Sequence, residues 1–221
     1  MFNNIAHRYD FLNHFLSVGI DYSWRRKAIN ILSKNNPKTI LDVATGTGDL
    51  AIAAIKLNPE KIIGVDIAED MVEIGKKKVR KKNLEKIIQL QSGDSENLQF
   101  NDNYFDAAMV AFGVRNFENL EKGLKEIHRV LKAGGEVMIL EFSKPTKFPV
   151  KQFYNFYSRY ILPFFGRVIS GDKVAYTYLP DSVSEFPHGK EFLDILSIVG
   201  FKDPKHEPVT FGIASIYTGR K

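Results

Sequence analysis

The sequence predicts an α/β fold of the Rossmann-like kind, with a mostly parallel seven-stranded sheet, helices on both faces and an N-terminal helical cap. Three observations predict it. Short apolar runs alternate with helical stretches between residues 39 and 142, the rhythm of βαβ units. A glycine loop, TGTGD at 45–49, joins the first apolar run to a helix. Asp66 ends the next apolar run, twenty residues after Gly46.

The elements follow in order. Residues 1–36 read as the helical cap, with Phe11, Leu12, Phe15 and Leu16 at helical spacing and Pro37 ending the segment. TILDVA, 39–44, is a short apolar run between Pro37 and the glycine loop, the mark of a buried strand. A helix over Asp49 to Leu57 comes next, then the strand IIGVD. A helix over Glu69 to Lys82 has a basic tail and leads to the strand IIQLQS. After the loop GDSENLQFNDNY comes the strand FDAAMVAF, then a helix over Leu120 to Leu131, closed by Ala133-Gly134-Gly135. GEVMILEF is the fifth strand. An aromatic-rich insert occupies 144–187, followed by a helix over Lys190 to Val199, Gly200, and two closing strands. No linker divides the chain, so one domain is expected over 1–221.

The chain has 221 residues, a formal net charge of +5 and no cysteine. Disulfides, thiolate metal sites and cysteine nucleophiles are excluded. Polar residues interrupt the N-terminus where a secretory signal would be apolar. No run approaches the roughly 18 apolar residues of a membrane span. A cytoplasmic protein is expected, with any contact at the inner face of the cell membrane being peripheral. The modest positive charge suits anionic ligands or an anionic bilayer.

Gly46-x-Gly48-x-x-Ala51 lets a nucleoside ligand approach the backbone, and a carboxylate at Asp66 can take both ribose hydroxyls. The nucleoside could belong to NAD or to S-adenosylmethionine. Asp42 inside the first strand favours the second, since it suits a cationic sulfonium and amino group and repels a pyrophosphate. Gly93-Asp94-Ser95 after the third strand offers an acceptor for an adenine amino group. A formal Tyr-x-x-x-Lys, Tyr217 to Lys221, falls on a strand, where that spacing does not present both side chains together.

These residues resemble the class I S-adenosylmethionine-dependent methyltransferases. More narrowly, the chain resembles the family that C-methylates quinone precursors in menaquinone and ubiquinone biosynthesis. MFNNIAHRYDFLN, LDVATGTGDLA, FGVRN, LEFSKP and YTYLPDSVSEFP carry that likeness across nearly the whole chain. It implies S-adenosylmethionine as cofactor, with contacts at Gly46, Thr47, Gly48, Asp66, Asp94 and Ser95. Ala111 stands where some members have serine. The reaction implied is methyl transfer to a ring carbon of a prenylated quinol, first of all demethylmenaquinol. A ubiquinone precursor and a small-molecule O- or N-methyltransferase are the alternatives, and a nucleotide-binding module without catalysis is the reading from another class.

Arg115 follows an apolar strand whose end should lie beside the methyl donor. Its guanidinium could stabilise a quinol oxyanion, although it cannot act as a base. A loop ion pair with Asp10 or Glu141 is the alternative. His7 is the candidate base, with Tyr9, Asp10, Asn13 or a water also open; a packed or solvated histidine is the other reading of His7. No metal is expected. Phe153, Phe156, Tyr157 and Tyr160, flanked by Lys147, Lys151, Arg159 and Arg167, suggest a substrate cap or a membrane-docking face, with ordinary core packing as the alternative. The partners expected are the quinol and a bilayer surface, without nucleic acid; a homodimer is left open.

Overall fold

The computed structural model describes residues 19–156 and 181–221. Its elements are α1 (Ile20–Leu32), β1 (Thr39–Val43), α2 (Asp49–Ala54), β2 (Lys61–Asp66), α3 (Glu69–Lys81) and β3 (Ile88–Ser92). They continue with β4 (Phe105–Ala111), α4 (Leu120–Val130), β5 (Leu131–Phe142), α5 (Val150–Phe156), α6 (Lys190–Val199), β6 (Lys202–Val209) and β7 (Ala214–Arg220). The seven strands form one sheet in the order β3-β2-β1-β4-β5-β7-β6. Strands β1 to β5 pair in parallel, and β7 runs antiparallel to both of its neighbours. The sheet is therefore the mostly parallel, seven-stranded one that the sequence predicts.

Both faces of the sheet are covered, which is why its central strands read as continuous apolar runs. Ile40, Ile62 and Met109 pack on one face with α1, α2 and α3. Leu41, Val43, Ile63 and Val110 pack on the other with α4 and α6. Trp24, Ala28, Ile29 and Leu32 make the buried stripe of α1, and the Trp24 indole donates to Thr210 Oγ1 at 2.7 Å. Residues 1–18 of the expected cap, and 157–180 of the expected insert, lie outside the described residues. No described helix is long and apolar enough to cross a membrane.

One boundary differs from expectation. Ala133-Gly134-Gly135 does not close α4, which ends at Val130 and passes directly into β5 at Leu131. Leu131 ends the helix itself, its N–H bonding to Ile127 O, and pairs with Phe105 across the sheet. The glycines form an irregularity within β5, after which Ala107 faces Glu136. Gly134 is left-handed there, with φ 79°. Its N–H bonds to Lys221 O and Gly135 O accepts from Lys221 N, so the bulge keeps its backbone partners.

The end of the sheet away from the site is closed by Asp106. Its carboxylate accepts from the backbone of Lys38 and Thr39, from Thr39 Oγ1 and from Lys132 Nζ. Burial pushes its pKa up, but the bonds from Lys132, Thr39 and Lys38 outweigh this and bring it down to about 2.

Candidate active site

A cavity of about 390 Å³ opens at the carboxyl ends of β1, β2 and β4. This is where the strand order turns, β2 lying on one side of β1 and β4 on the other. Open α/β sheets bind ligands at such a point. The two strand ends flanking the crevice leave in unusual conformations: Ala44 after β1 and Phe112 after β4 are left-handed, with φ 53° and 59°. Non-glycine residues rarely adopt these angles without tertiary support. Backbone bonds hold the two turns, Thr45 N to Val65 O at 3.0 Å and Phe112 N to Leu140 O at 2.8 Å, and the turns lie close together: a Cβ added to Gly113 would sit 2.4 Å from Ala44 Cβ.

Most of the expected cofactor residues meet in this cavity. Gly46, Thr47, Asp66, Asp94 and Ser95 line it. Asp66 fastens the glycine loop to the next strand: its Oδ2 accepts from Gly46 N at 2.7 Å and its Oδ1 from Ala68 N at 2.9 Å. Burial raises the Asp66 pKa, opposed by backbone hydrogen bonds from Ala68, Gly46 and Ile67. Asp94 Oδ1 accepts from Glu96 N at 2.8 Å. Thr47 is nearly closed to solvent, and its hydroxyl accepts from Lys78 Nζ at 2.8 Å. Gly48 is the exception. It does not line the cavity but starts α2 with φ 81°, and a Cβ there would come 3.1 Å from Leu90 Cδ1. Its task is the turn and close helix packing, not ligand approach.

Asp42 lies deeper, 1% exposed, accepting from Thr45 Oγ1 at 2.6 Å while still lining the cavity. Burial lifts its pKa to about 7, against hydrogen bonds from Thr45 and the Ala51 backbone. A carboxyl poised there gains its charge readily when a cationic ligand arrives.

Arg115 sits elsewhere. Its side chain is 5% exposed, and its Nη1 meets Glu141 Oε1 at 2.8 Å and Phe112 O at 2.6 Å. Its Nε reaches Ser182 Oγ at 3.3 Å. Gly113 and Asn116 line the cavity, but Arg115 does not. Of the two ion-pair partners expected for Arg115, the described geometry shows Glu141. β5 pairs with β4 and places Glu141 just past Leu140, the partner of Ala111, where it meets the turn after that strand. His7 and Tyr9, with Asp10 and Asn13, lie outside the described residues. Among the described residues no group of three His, Asp or Glu is placed to hold a metal.

The ubiE/COQ5 methyltransferase family model matches residues 1–221. The chain belongs to that family. It is 50% identical to a demethylmenaquinone methyltransferase of Bacteroides fragilis, covering 100% of this chain and 91% of the relative. It is 46% identical to a ubiquinone/menaquinone biosynthesis C-methyltransferase, UbiE, of a Geobacter species, covering 100% and 94%. A SAM-dependent methyltransferase structure from Thermotoga maritima superposes with a TM-score of 0.68 at 20% identity, covering 100% of both chains, and supports the fold. As a member of the ubiE/COQ5 methyltransferase family, the protein is a methyltransferase with S-adenosylmethionine as its methyl donor.

For a ubiE/COQ5 methyltransferase, the residues that sequence reasoning missed lie mainly on the other wall. Phe112, Asn116, Phe117 and Lys122 come from the β4 end and from α4. Glu96 ties that wall to the β3 loop by accepting from Asn119 N at 2.7 Å. Arg25 reaches the cavity from α1, with its guanidinium 5.7 Å from the Phe112 ring centroid. The signal for Arg25 was in the sequence: Asp21 and Arg25 fall on the same stripe as Trp24, Ala28, Ile29 and Leu32.

Proposed function

We propose that this methyltransferase methylates a ring carbon of a prenylated quinol, turning demethylmenaquinol into menaquinol. The full-length match to the family, with half of all residues shared with a demethylmenaquinone methyltransferase, carries the reading. Bound, S-adenosylmethionine supplies an electrophilic methyl on a sulfonium. The glycine loop and Asp66 hold the nucleoside by backbone approach and by acceptance from the ribose hydroxyls, and Asp94 with Ser95 borders the adenine. Asp42 sets negative charge near the cationic part of the donor. Phe112 and Phe117 give the acceptor an apolar, water-excluding wall, which alignment of two reactants requires.

The acceptor must be reduced. A quinone ring is electron-poor, whereas a quinol that loses a hydroxyl proton becomes a carbon nucleophile. The new carbon–carbon bond forms as the methyl leaves sulfur with the bonding pair staying on sulfur. The ring carbon then gives up its proton and aromaticity returns. His7 and Tyr9 stand in this reading as candidates for the proton transfers. Arg115, held by Glu141, acts by positioning the Phe112–Gly113 turn; direct stabilisation of a quinol oxyanion would require its guanidinium to turn from Glu141.

A prenylated acceptor resides in a bilayer, and this reading includes peripheral membrane contact. Phe148 and Phe153 are 81% and 71% exposed, and Phe156 is exposed too, on and just before α5. Lys147 and Lys151 adjoin them in sequence. Exposed aromatics beside lysines suit the interface of an anionic membrane.

The test is an anaerobic assay with labelled donor and a demethylmenaquinone analogue, oxidised or pre-reduced, beside a benzoquinol. Mass spectrometry and NMR should find a new ring methyl only from the reduced naphthoquinol. A methyl ether, or equal rates from both redox forms, would overturn the mechanism.

A further inference from the structure

Arg25 Nε is the single buried side-chain nitrogen or oxygen among the described residues without a hydrogen-bond partner. The same guanidinium is anchored at Nη1. Its Nη1 donates to Asp21 Oδ2 at 2.7 Å, and Asp49 Oδ2 stands 4.0 Å away. The Arg25 and Asp21 side chains are only 11% and 3% exposed. An unmade hydrogen bond on a buried donor costs about 1–3 kcal/mol, and more on a charged one. Native folds rarely keep such a group without a use. This one belongs to a residue on the wall of the ligand cavity.

The chemistry of the walls indicates what would complete it. Two cationic residues line the cavity, Arg25 and Lys122. Lys122 faces Glu96 at 4.0 Å, beside the loop of Asp94 and Ser95. Arg25 stands by Asp49, the first residue of the helix after the glycine loop, whereas Asp66 binds the loop at Gly46 N. With the ribose on Asp66, the amino-acid end of the donor extends towards Arg25 and Asp49. Its ammonium has Asp42 and Asp49 for company. Its carboxylate needs a cation; Lys78 bonds Asp49 and Thr47 nearby but does not line the cavity, whereas Arg25 does.

We propose that Arg25 recognises the α-carboxylate of the methyl donor, completing its guanidinium with the ligand's oxygens and so orienting the sulfonium. This rests on S-adenosylmethionine occupying the cavity. The planar fork of arginine matches a carboxylate, and such charge-assisted bonds are among the strong ones. Asp21 and Phe112 hold the side chain in place before the ligand arrives.

Calorimetry with S-adenosylmethionine and with its decarboxylated analogue tests this, on the wild type, Arg25→Gln and Arg25→Lys. The analogue keeps the sulfonium and amine but lacks the carboxylate. Arg25→Gln should weaken the donor by roughly 10- to 100-fold and the analogue by less than about threefold. Arg25→Lys should fall between. An equal loss for both ligands would overturn the proposal and make Arg25 a structural residue. If the wild type bound neither ligand, the donor assignment would itself fail, a result distinct from equal losses. Should the variants misfold, NMR of the wild-type arginine Nε–H groups decides. The Arg25 signal should shift strongly with the donor and little with the analogue; the same shift with both would refute carboxylate recognition.

Discussion

Arg115 and Arg25 are both buried arginines held by a carboxylate, yet the two regions around them use the guanidinium differently. Arg115 joins the turn after β4 to Glu141, Phe112 O and Ser182, and does not line the cavity. Arg25 is tied by Asp21 at one nitrogen, keeps Nε without an acceptor, and lines the cavity. The difference teaches how to separate the arginine that shapes a site from the one that awaits a ligand. Residue type and burial are alike in both; completeness of the hydrogen bonds and contact with the cavity divide them.

The largest effect should come from breaking the completed pair. Glu141→Ala leaves the Arg115 cation buried without its carboxylate, which costs about 3–5 kcal/mol. For a chain of this length that lowers Tm by roughly 10 °C, measured by thermal denaturation. Replacing both partners, Arg115→Met with Glu141→Leu, should recover most of that loss. Donor affinity in the double variant should stay near wild type. A Glu141→Ala variant that kept its Tm and lost donor binding would erase the contrast between the arginines.

A smaller effect concerns pH at the ligand end. The folded pKa of Asp42 is raised from 3.8 to about 7, so the free protein holds a proton there that the unfolded chain has released. Its contribution to stability is therefore lost as pH rises through that window. The cationic donor favours the ionised form. Affinity should climb by up to about tenfold per pH unit below 7 and level off above it. Calorimetry in buffers of different ionisation enthalpy should detect proton release on binding. Asp42→Asn should abolish both the release and the slope, and a slope that survives it would assign the titration elsewhere.

The smallest effect belongs to Lys78, which bonds Asp49 at 2.6 Å and Thr47 at 2.8 Å. With the Lys78 and Asp49 side chains 30% and 25% exposed, Lys78→Met should change stability by less than about 1 kcal/mol. Denaturant titration should confirm that. A larger loss would show that Asp49, and through it Arg25, depends on this lysine.

Much of the fold could be read because local pattern and tertiary role agree. Apolar runs bounded by Pro37 or by the glycine loop became central strands, and Asp66 fell at the end of β2 on the cavity wall. The α4–β5 boundary could not be read, because Leu131 is apolar in either element and the glycines look like a helix stop. Arg115 attracted attention by following an apolar strand, but its partner lies 26 residues on in chain order, and only strand pairing brings the two together. Arg25 is masked by the basic run Trp24-Arg25-Arg26-Lys27, which resembles a solvated helix face. Its place beside Asp21 on the apolar stripe was the better clue. The pKa of Asp42 depends on the packing around it and leaves no mark in composition.

The near contact of Ala44 with Gly113 makes these two positions, 69 residues apart in the sequence, a single steric unit. Between them there is room for one methyl group, now on the β1 side. Neither residue can change freely, but the methyl could change owner. Gly113→Ala alone would crowd the crevice, and Ala44→Gly alone would empty it while relieving a left-handed alanine. Made together, the two substitutions keep the total volume and hand the left-handed position to the residue best suited to it. The crevice thus constrains a sum and leaves its partition open, so the walls of the site could be exchanged by inheritance in pairs where neither partner could drift alone.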